Sequence, residues 1–293
     1  MEGPAPPPRR RLRIDLGTPG LLGLPIGWLA FFFVVPIAIV VQYSFGPSGA
    51  ISPHPATLLT WHDFFHSGIY LRLFWDSVEL SLIVSAIVVA LAYPLAYYLA
   101  LSGTKRKYVL LLLLIAPFLT SYLLRVLAWK IILGNQGPID SFATWVGWSP
   151  PSLIYTRFAV MLVLGYIWLP FVALPIFVSL DSLDRRLLEA AGDLGASRWQ
   201  AFRRVTLPLS MPGVFAAFLF IFIPTLGEFV TPSLVGGTSS SSGYMYGNAI
   251  ESLFLGFPDW ETGSVLAVFL LGVVAVLTIV FARFLQPRHA ATD

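Results

Sequence analysis

The sequence predicts an all-α integral membrane protein with six membrane-spanning helices and a cytoplasmic helix–turn–helix between the fourth and fifth of them. Three observations support this fold class. Hydrophobic residues make up 57% of the 293 residues and charged residues only 11%, whereas ordinary soluble domains contain about 25% charged residues. Six apolar segments are long enough to cross a bilayer. The basic residues are concentrated in alternate connecting segments, as expected for loops on the cytoplasmic face.

The six apolar segments each approach the roughly 20 residues that a helix needs to cross the hydrocarbon core. They cover residues 21–45, 77–101, 108–133, 158–180, 213–235 and 264–285. A basic stretch precedes the first segment, as in a signal peptide, but its apolar run is too long and no A-x-A cleavage pattern follows. We therefore expect the first segment to be retained as a helix. A further short helix, around residues 61–65, is expected at the membrane surface outside.

The distribution of Lys and Arg predicts the orientation of these helices. With both termini in the cytoplasm, 14 of the 18 basic residues lie in inner segments, and only Arg72 and Arg157 lie in outer loops. The predicted organisation is a cytoplasmic N-terminal segment (residues 1–20), a transmembrane domain (residues 21–285) and a cytoplasmic tail (residues 286–293). Because the basic residues are spread along the chain, nucleic-acid binding is not expected.

Several kinds of chemistry are excluded by composition. The chain contains no cysteine, so disulfides, thiolate catalysis and Cys-ligated zinc are ruled out. His62 and His66 share a predicted helix face, but two ligands without a third do not predict a metal site. No phosphate-binding loop of the G-x4-G-K-[S/T] type is present, so we expect this chain not to hydrolyse ATP. No catalytic motif indicates an enzyme.

The cytoplasmic connection, residues 181–212, has the signals of two short helices. Asp181 is expected to cap the first helix, and Leu183, Leu187, Leu188 and Ala191 form an apolar stripe at helical spacing. Gly192 and Gly195 are expected to end this helix, since glycine adopts left-handed backbone angles easily. Ser197 and Gln200 form a capping box for the second helix. Pro208 and Pro212 are expected to stop the second helix before the fifth membrane helix.

This connection resembles the EAA loop of permease subunits in type I ATP-binding-cassette importers, whose pattern is E-A-A-x3-G-x9-I-x-L-P. Six of the seven positions are identical, and valine replaces isoleucine at the other. The matching residues are Glu189, Ala190, Ala191, Gly195, Val205, Leu207 and Pro208. The resemblance implies that these residues couple the membrane domain to an ATPase. The alternative is an ordinary surface helical hairpin that matches the motif by chance.

Two further stretches are similar to spermidine/putrescine-type permeases of that family. One is the region from Pro117 to Gly137, and the other is GEFVTPSLVGG, where Glu228 replaces the commoner aspartate. The resemblance implies a subunit in the cytoplasmic (inner) membrane of a bacterium that imports a small solute, either a polyamine or another organic solute. It also implies partner ATPase subunits that bind ATP and Mg, a homologous but non-identical second permease and an extracytoplasmic solute-binding protein. A secondary transporter or channel would share the helices but would not need the EAA loop.

Glu228 is the only acidic residue well inside a predicted membrane helix, and it is the first candidate for the solute pathway. Its alternative role is a structural ion pair with Arg125 or Lys130. Tyr122 and Trp168 are further candidates, because aromatic rings bind cations, although aromatic residues in membrane helices also serve in packing. Five prolines interrupt the third to fifth helices, which is typical of transport pathways and also of packing adjustments. They are Pro117, Pro170, Pro175, Pro224 and Pro232.

Overall fold

A computed structural model describes residues 18–46, 57–101, 106–148, 152–256 and 258–285 of the chain. These residues form α-helices joined by short 3₁₀ and π turns, and no strand occurs among them. The predicted tail and most of the predicted N-terminal segment lie outside the described residues. The α-helices are α1 (Thr18–Tyr43), α2 (Leu59–Ser67), α3 (Ile69–Leu101), α4 (Lys107–Ile115), α5 (Tyr122–Leu133), α6 (Pro138–Trp145), α7 (Arg157–Asp181), α8 (Arg185–Asp193), α9 (Arg198–Ala201), α10 (Leu207–Leu226), α11 (Val230–Val235), α12 (Tyr246–Glu251) and α13 (Trp260–Leu285).

Within the described ranges, five helices are long and apolar enough to cross a membrane. They are α1, α3, α7, the continuous helix Arg198–Leu226 and α13. The all-α membrane class is therefore confirmed, and so is the short helix expected near residues 61–65, which is α2. Helix α3 begins at Ile69, eight residues before the predicted start. The sequence analysis placed Arg72 in a loop, but the residue lies inside α3.

The third predicted helix, residues 108–133, is interrupted at Pro117 as expected, and the interruption divides it into two separate helices. Helix α4 ends at Ile115, a 3₁₀ turn covers Ala116–Leu119, and α5 begins at Tyr122. Thr120 and Ser121 have ψ values of 160° and 132°, which no helix accommodates. With 9 and 12 residues, the two halves extend only about 14 and 18 Å at 1.5 Å per residue. Neither half crosses the hydrocarbon core alone, so six crossings remain a prediction.

The fifth predicted helix differs from the expectation at its start. Pro208 and Pro212 do not stop the preceding helix, because the chain stays helical from Arg198 to Leu226 through a π turn at Phe202–Thr206. A proline ring clashes with the carbonyl group four residues earlier in a regular α-helix, and the wider π turn relieves that clash ahead of Pro208. At the other end the helix breaks after Leu226 and resumes as α11, between Pro224 and Pro232, where an interruption was expected.

The core of the protein is formed by α3, α7 and α10. Small residues allow these helices to approach closely, as is usual between membrane helices. A Cβ at Gly213 of α10 would lie 2.3 Å from the Cβ of Ser179 on α7, so only glycine fits there. A second cluster joins α2, α3, α10, α12 and α13 around Phe74, Tyr246 and Leu266. Helix α1 packs along α13 and leaves most of its apolar side chains exposed, which requires lipid or a partner helix to cover them.

Candidate functional site

The first helix of the cytoplasmic connection is α8, and Asp184 caps its N-terminus. The Asp184 carboxylate accepts a hydrogen bond of 3.0 Å from the backbone N–H of Arg186. The expectation that Asp181 provides this cap is wrong, because Asp181 is the last residue of α7. Its carboxylate instead forms an ion pair with Lys107, at the start of α4. This pair raises the pKa of the Lys107 ammonium group above its ordinary value.

The turn after α8 depends on Gly195. This residue has φ = +81°, in the left-handed region, and it follows the helix in a Schellman motif. Its N–H donates to the carbonyl oxygen of Gly192 at 2.8 Å, and the N–H of Ala196 donates to that of Ala191 at 3.0 Å. The prediction that Gly195 ends the helix is confirmed. Gly192, which was expected to share this role, lies inside α8.

The second helix of the connection begins with the predicted capping box. Ser197 Oγ accepts from Gln200 N–H at 3.3 Å, and Gln200 Oε1 accepts from Ser197 N–H at 2.8 Å. From there the helix runs without a stop into α10, and Val205, Leu207 and Pro208 of the motif lie at this junction. The second helix of the connection and a membrane helix therefore form one continuous helical element.

Phe202 anchors this junction to α3, which the sequence did not indicate. Its ring contacts the rings of Tyr93 and Tyr97 with centroids 6.0 and 5.5 Å apart. The Tyr93 hydroxyl also forms a 2.9 Å hydrogen bond with Ser210 of α10. The junction between the cytoplasmic connection and α10 is thus held against α3 by aromatic contacts.

The exposed surface of the connection carries apolar side chains that the described residues do not cover. Leu194 and Trp199 are 89% and 66% exposed, and Leu187 is 47% exposed. No residue of α8 is buried, and Glu189 and Ala190 are exposed. Exposed apolar surface that is rimmed by charge is typical of a docking site.

A second candidate site lies at the break between α10 and α11. Glu228 Oε1 accepts hydrogen bonds from the Tyr122 hydroxyl at 2.9 Å and from the N–H groups of Val230 and Thr231 at 3.0 and 3.2 Å. The structure therefore brings together two of the predicted pathway residues, Glu228 and Tyr122, which are 106 positions apart. One carboxylate oxygen satisfies the first N–H groups of α11. Among the described residues no donor reaches the other oxygen, Oε2.

Helix α12 supports this break with residues that the sequence did not single out. Asn248 Nδ2 donates to the carbonyl oxygen of Phe229 at 2.9 Å and to Ser233 Oγ at 2.6 Å. A Cβ at Gly247 would lie 2.6 Å from the carbonyl oxygens of both Gly227 and Glu228. The irregular backbone is therefore satisfied by protein, as it must be at membrane depth. No local pattern in the sequence indicates these long-range contacts.

Trp168, the third predicted pathway residue, lies in an aromatic group that extends to Arg125 of α5. Its ring contacts Phe171 and Phe220, each with a centroid distance of 6.1 Å. Phe171 in turn contacts Phe118 at 6.0 Å, and the guanidinium carbon of Arg125 lies 4.8 Å from the Phe118 ring centre. Within the described ranges, no ring contact joins Trp168 directly to Tyr122.

The ion pair that was the alternative role of Glu228, with Arg125 or Lys130, is not formed in this conformation. Among the described residues, neither Arg125 nor Lys130 comes within 4.0 Å of a carboxylate.

The two histidines of α2, His62 and His66, stack on each other with ring centres 3.8 Å apart. The part of the chain that the structure describes contains no group of three residues able to hold a metal ion.

Comparisons with known proteins agree with these features. Residues 92–290 match the family model of the binding-protein-dependent transport system inner membrane component. The spermidine/putrescine transport system permease protein PotB of Escherichia coli (strain K12) is 34% identical over 262 residues, covering 88% of this chain and 94% of that protein. The inner membrane ABC transporter permease protein YdcU of the same organism is 36% identical over 176 residues, or 55% of each chain.

Two solved structures show the same fold at low sequence identity. A chain of a bacterial alginate ABC transporter, in complex with alginate pentasaccharide-bound periplasmic protein, matches with a TM-score of 0.69 and 18% identity. That match covers 94% of this chain and 98% of the other. A chain of the MetNI methionine ABC transporter in an inward-facing conformation matches with a TM-score of 0.54 and 16% identity, covering 75% of this chain and 96% of the other.

Proposed function

Because this chain belongs to the family of binding-protein-dependent transport system inner membrane components, and is thus a permease subunit of an ABC importer, we propose that it imports a polyamine or a related small organic cation. The chain is an inner membrane protein and a transporter subunit, not an enzyme. The proposal beyond the family membership is the identity of the solute. This proposal draws on the spermidine/putrescine transport system permease protein PotB, which matches this chain along 94% of its own length.

The observation that carries the cation proposal is the carboxylate of Glu228. An acidic side chain at membrane depth costs roughly 2.5–3.5 kcal/mol, so such residues mark pathways or partners. Oε1 holds the α10–α11 break, while Oε2 has no donor among the described residues. A primary ammonium group of the solute could donate N–H hydrogen bonds to Oε2 and neutralise the carboxylate charge.

We propose that the connection Asp184–Pro208 docks on a partner ATPase. The exposed Leu187, Leu194 and Trp199 supply apolar contacts, and the continuous helix from α9 to α10 transmits the movement. ATP and Mg belong to that partner, and this chain needs no cofactor of its own. The complete importer then also contains a solute-binding protein outside and a homologous second permease.

The proposed topology has six crossings and both termini in the cytoplasm. In this arrangement α4, the 3₁₀ turn and α5 together make the third crossing. A discontinuous helix of this kind is common where transporters bind solute. The rival solute class is another small organic molecule. A secondary transporter or channel is disfavoured because it has no use for an exposed ATPase-docking connection.

The decisive experiment is uptake of labelled spermidine and putrescine by the importer reconstituted with its ATPase and binding protein. Glu228→Gln keeps an oxygen acceptor for the three donors to Oε1 and replaces Oε2 by an uncharged amide. We expect uptake to fall about tenfold or more, the effect of losing about 1.4 kcal/mol of binding. Asp63→Asn, which removes one exposed charge from α2, is the matched control and should not reduce uptake.

Two outcomes would contradict the proposal in different ways. Normal uptake by Glu228→Gln removes this residue from the pathway. No polyamine uptake by the wild-type importer removes the cation proposal and leaves the family membership unaffected. Glu228→Ala separates the two roles of the residue, because it loses both the charge and the oxygen that holds the α11 N-terminus, and should therefore also destabilise the subunit.

A further inference from the structure

Arg125 is the least satisfied charged group in the described membrane domain. Its Nε and Nη1 atoms are buried and have no hydrogen-bond acceptor among the described residues. The guanidinium group is instead packed on the ring of Phe118, with 4.8 Å between the guanidinium carbon and the ring centre. A cation–π contact partly compensates for lost water, but it leaves the N–H donors of Nε and Nη1 without acceptors among the described residues. Buried donors without acceptors are unfavourable, so this arrangement points to a second position for the side chain.

A candidate acceptor for that second position is Oε2 of Glu228, which no donor reaches among the described residues. Tyr122 and Arg125 are three residues apart on α5, so they lie next to each other on one helix face. The Tyr122 hydroxyl bonds to Glu228 Oε1 at 2.9 Å, which places the carboxylate beside that face. Arginine has a long, flexible side chain and forms its best hydrogen bonds with carboxylates. The donors that Arg125 fails to satisfy and the unused oxygen of Glu228 are therefore complementary.

We propose that Arg125 is a tethered competitor of the solute for Glu228, an inference that rests on the proposed function of importing an organic cation. With Arg125 on Phe118, as in this structure, Glu228 Oε2 is open to an ammonium group of the solute. When Arg125 turns to Glu228 it takes the place of that ammonium group and releases it. No covalent step is involved, and the Glu228 carboxylate pairs with one positive group in either case, the solute ammonium or the Arg125 guanidinium. Arg125 is thus a specificity-determining and positioning residue for transport.

A purely structural Arg125 would behave differently from a competitor. If it serves only to pack on Phe118, replacing it should loosen the site and weaken solute binding. If it competes for Glu228, removing its charge should strengthen solute binding and slow solute release. Lysine in its place keeps the charge and should keep the competition. Lys130, five residues further along α5, offers a matched control because Lys130→Gln removes one charge from the same helix.

The first test measures equilibrium binding of labelled putrescine and spermidine to the complete permease–ATPase complex in nanodiscs, without binding protein. We expect Arg125→Gln to lower the Kd about tenfold, to slow uptake in the reconstituted importer, and to leave the purified complex intact. Arg125→Lys and Lys130→Gln should bind within about twofold of wild type. Unchanged or weaker binding by Arg125→Gln, with measurable binding by wild type, would overturn the proposal.

The second test does not depend on the identity of the solute. Basal ATP hydrolysis of the solute-free complex in liposomes is compared for Arg125→Gln, Glu228→Gln and the double variant. If the two side chains pair during the cycle, each single change should lower the rate about threefold or more, and the double variant should recover most of it. Additive losses would overturn the pairing. If wild type binds no polyamine, the proposed solute fails, and this cycle alone decides whether Arg125 and Glu228 act together.

Discussion

Replacing Gly195 with other residues should uncouple the permease from its ATPase in a graded way. The structure allows the magnitude to be worked out, because a Cβ built at Gly195 has no neighbour within 4 Å. The cost of a side chain is therefore backbone strain alone. At φ = +81° that strain is about 1–2 kcal/mol for a residue other than glycine. Asparagine adopts this conformation most readily, alanine should cost about 1 kcal/mol, and β-branched valine should cost most.

A control for this prediction lies three residues earlier in the same loop. Gly192 also has open space around a built Cβ, but it lies inside α8 and has no positive φ. Gly192→Ala should therefore stabilise the loop by about 0.5–1 kcal/mol. The two glycines have the same steric freedom, so opposite signs at the two positions isolate the backbone conformation as the cause.

The assay is the fraction of ATPase that copurifies with the permease, together with ATP hydrolysis stimulated by the binding protein. A loss of 1–2 kcal/mol reduces the population of the docking-competent turn about 5- to 30-fold. We expect both readouts to decrease from wild type through Gly195→Asn and Gly195→Ala to Gly195→Val, while Gly192→Ala stays at or above wild type. If Gly195→Val matches wild type, or if Gly192→Ala is equally harmful, the reasoning about this turn is refuted.

Three further predictions follow from other parts of the molecule. Gly247→Ala would place a methyl group 2.6 Å from two carbonyl oxygens of the α10–α11 break and should lower stability by about 1–3 kcal/mol. Gly272→Ala, inside α13 with open space around it, should not lower the unfolding temperature in detergent. Lys107→Met should lower the unfolding temperature at neutral pH, because it removes the ion pair with Asp181. Since Asp181 raises the pKa of Lys107, the difference from wild type should disappear only as the pH rises beyond 10.5. Finally, because the chain has no native cysteine, an impermeant thiol reagent should label Ser240→Cys but not Ser182→Cys in intact cells; the reverse pattern would contradict the proposed orientation.

Prediction from sequence succeeded where the deciding interactions are local. A bilayer demands long apolar helices, so composition and run length suffice to predict the class and five of the membrane helices. The capping box of Ser197 and Gln200 and the turn at Gly195 involve residues within five positions of each other. Such patterns are visible in the sequence because the hydrogen bonds close within one helical turn.

The sequence by itself therefore determined the membrane class, the main helices, the prolines at which helices are interrupted and the form of the cytoplasmic turn. Only the tertiary structure decided how each interruption is built and which side chains pair at the membrane site. Pro208 was expected to stop a helix, but a π turn allows the chain to continue. The contact of Glu228 with Tyr122 and the support of the break by Asn248 depend on how α5 and α12 are rotated and where they cross the break. Helix rotation and crossing are fixed by close packing of side chains from distant segments, and no local pattern encodes that packing.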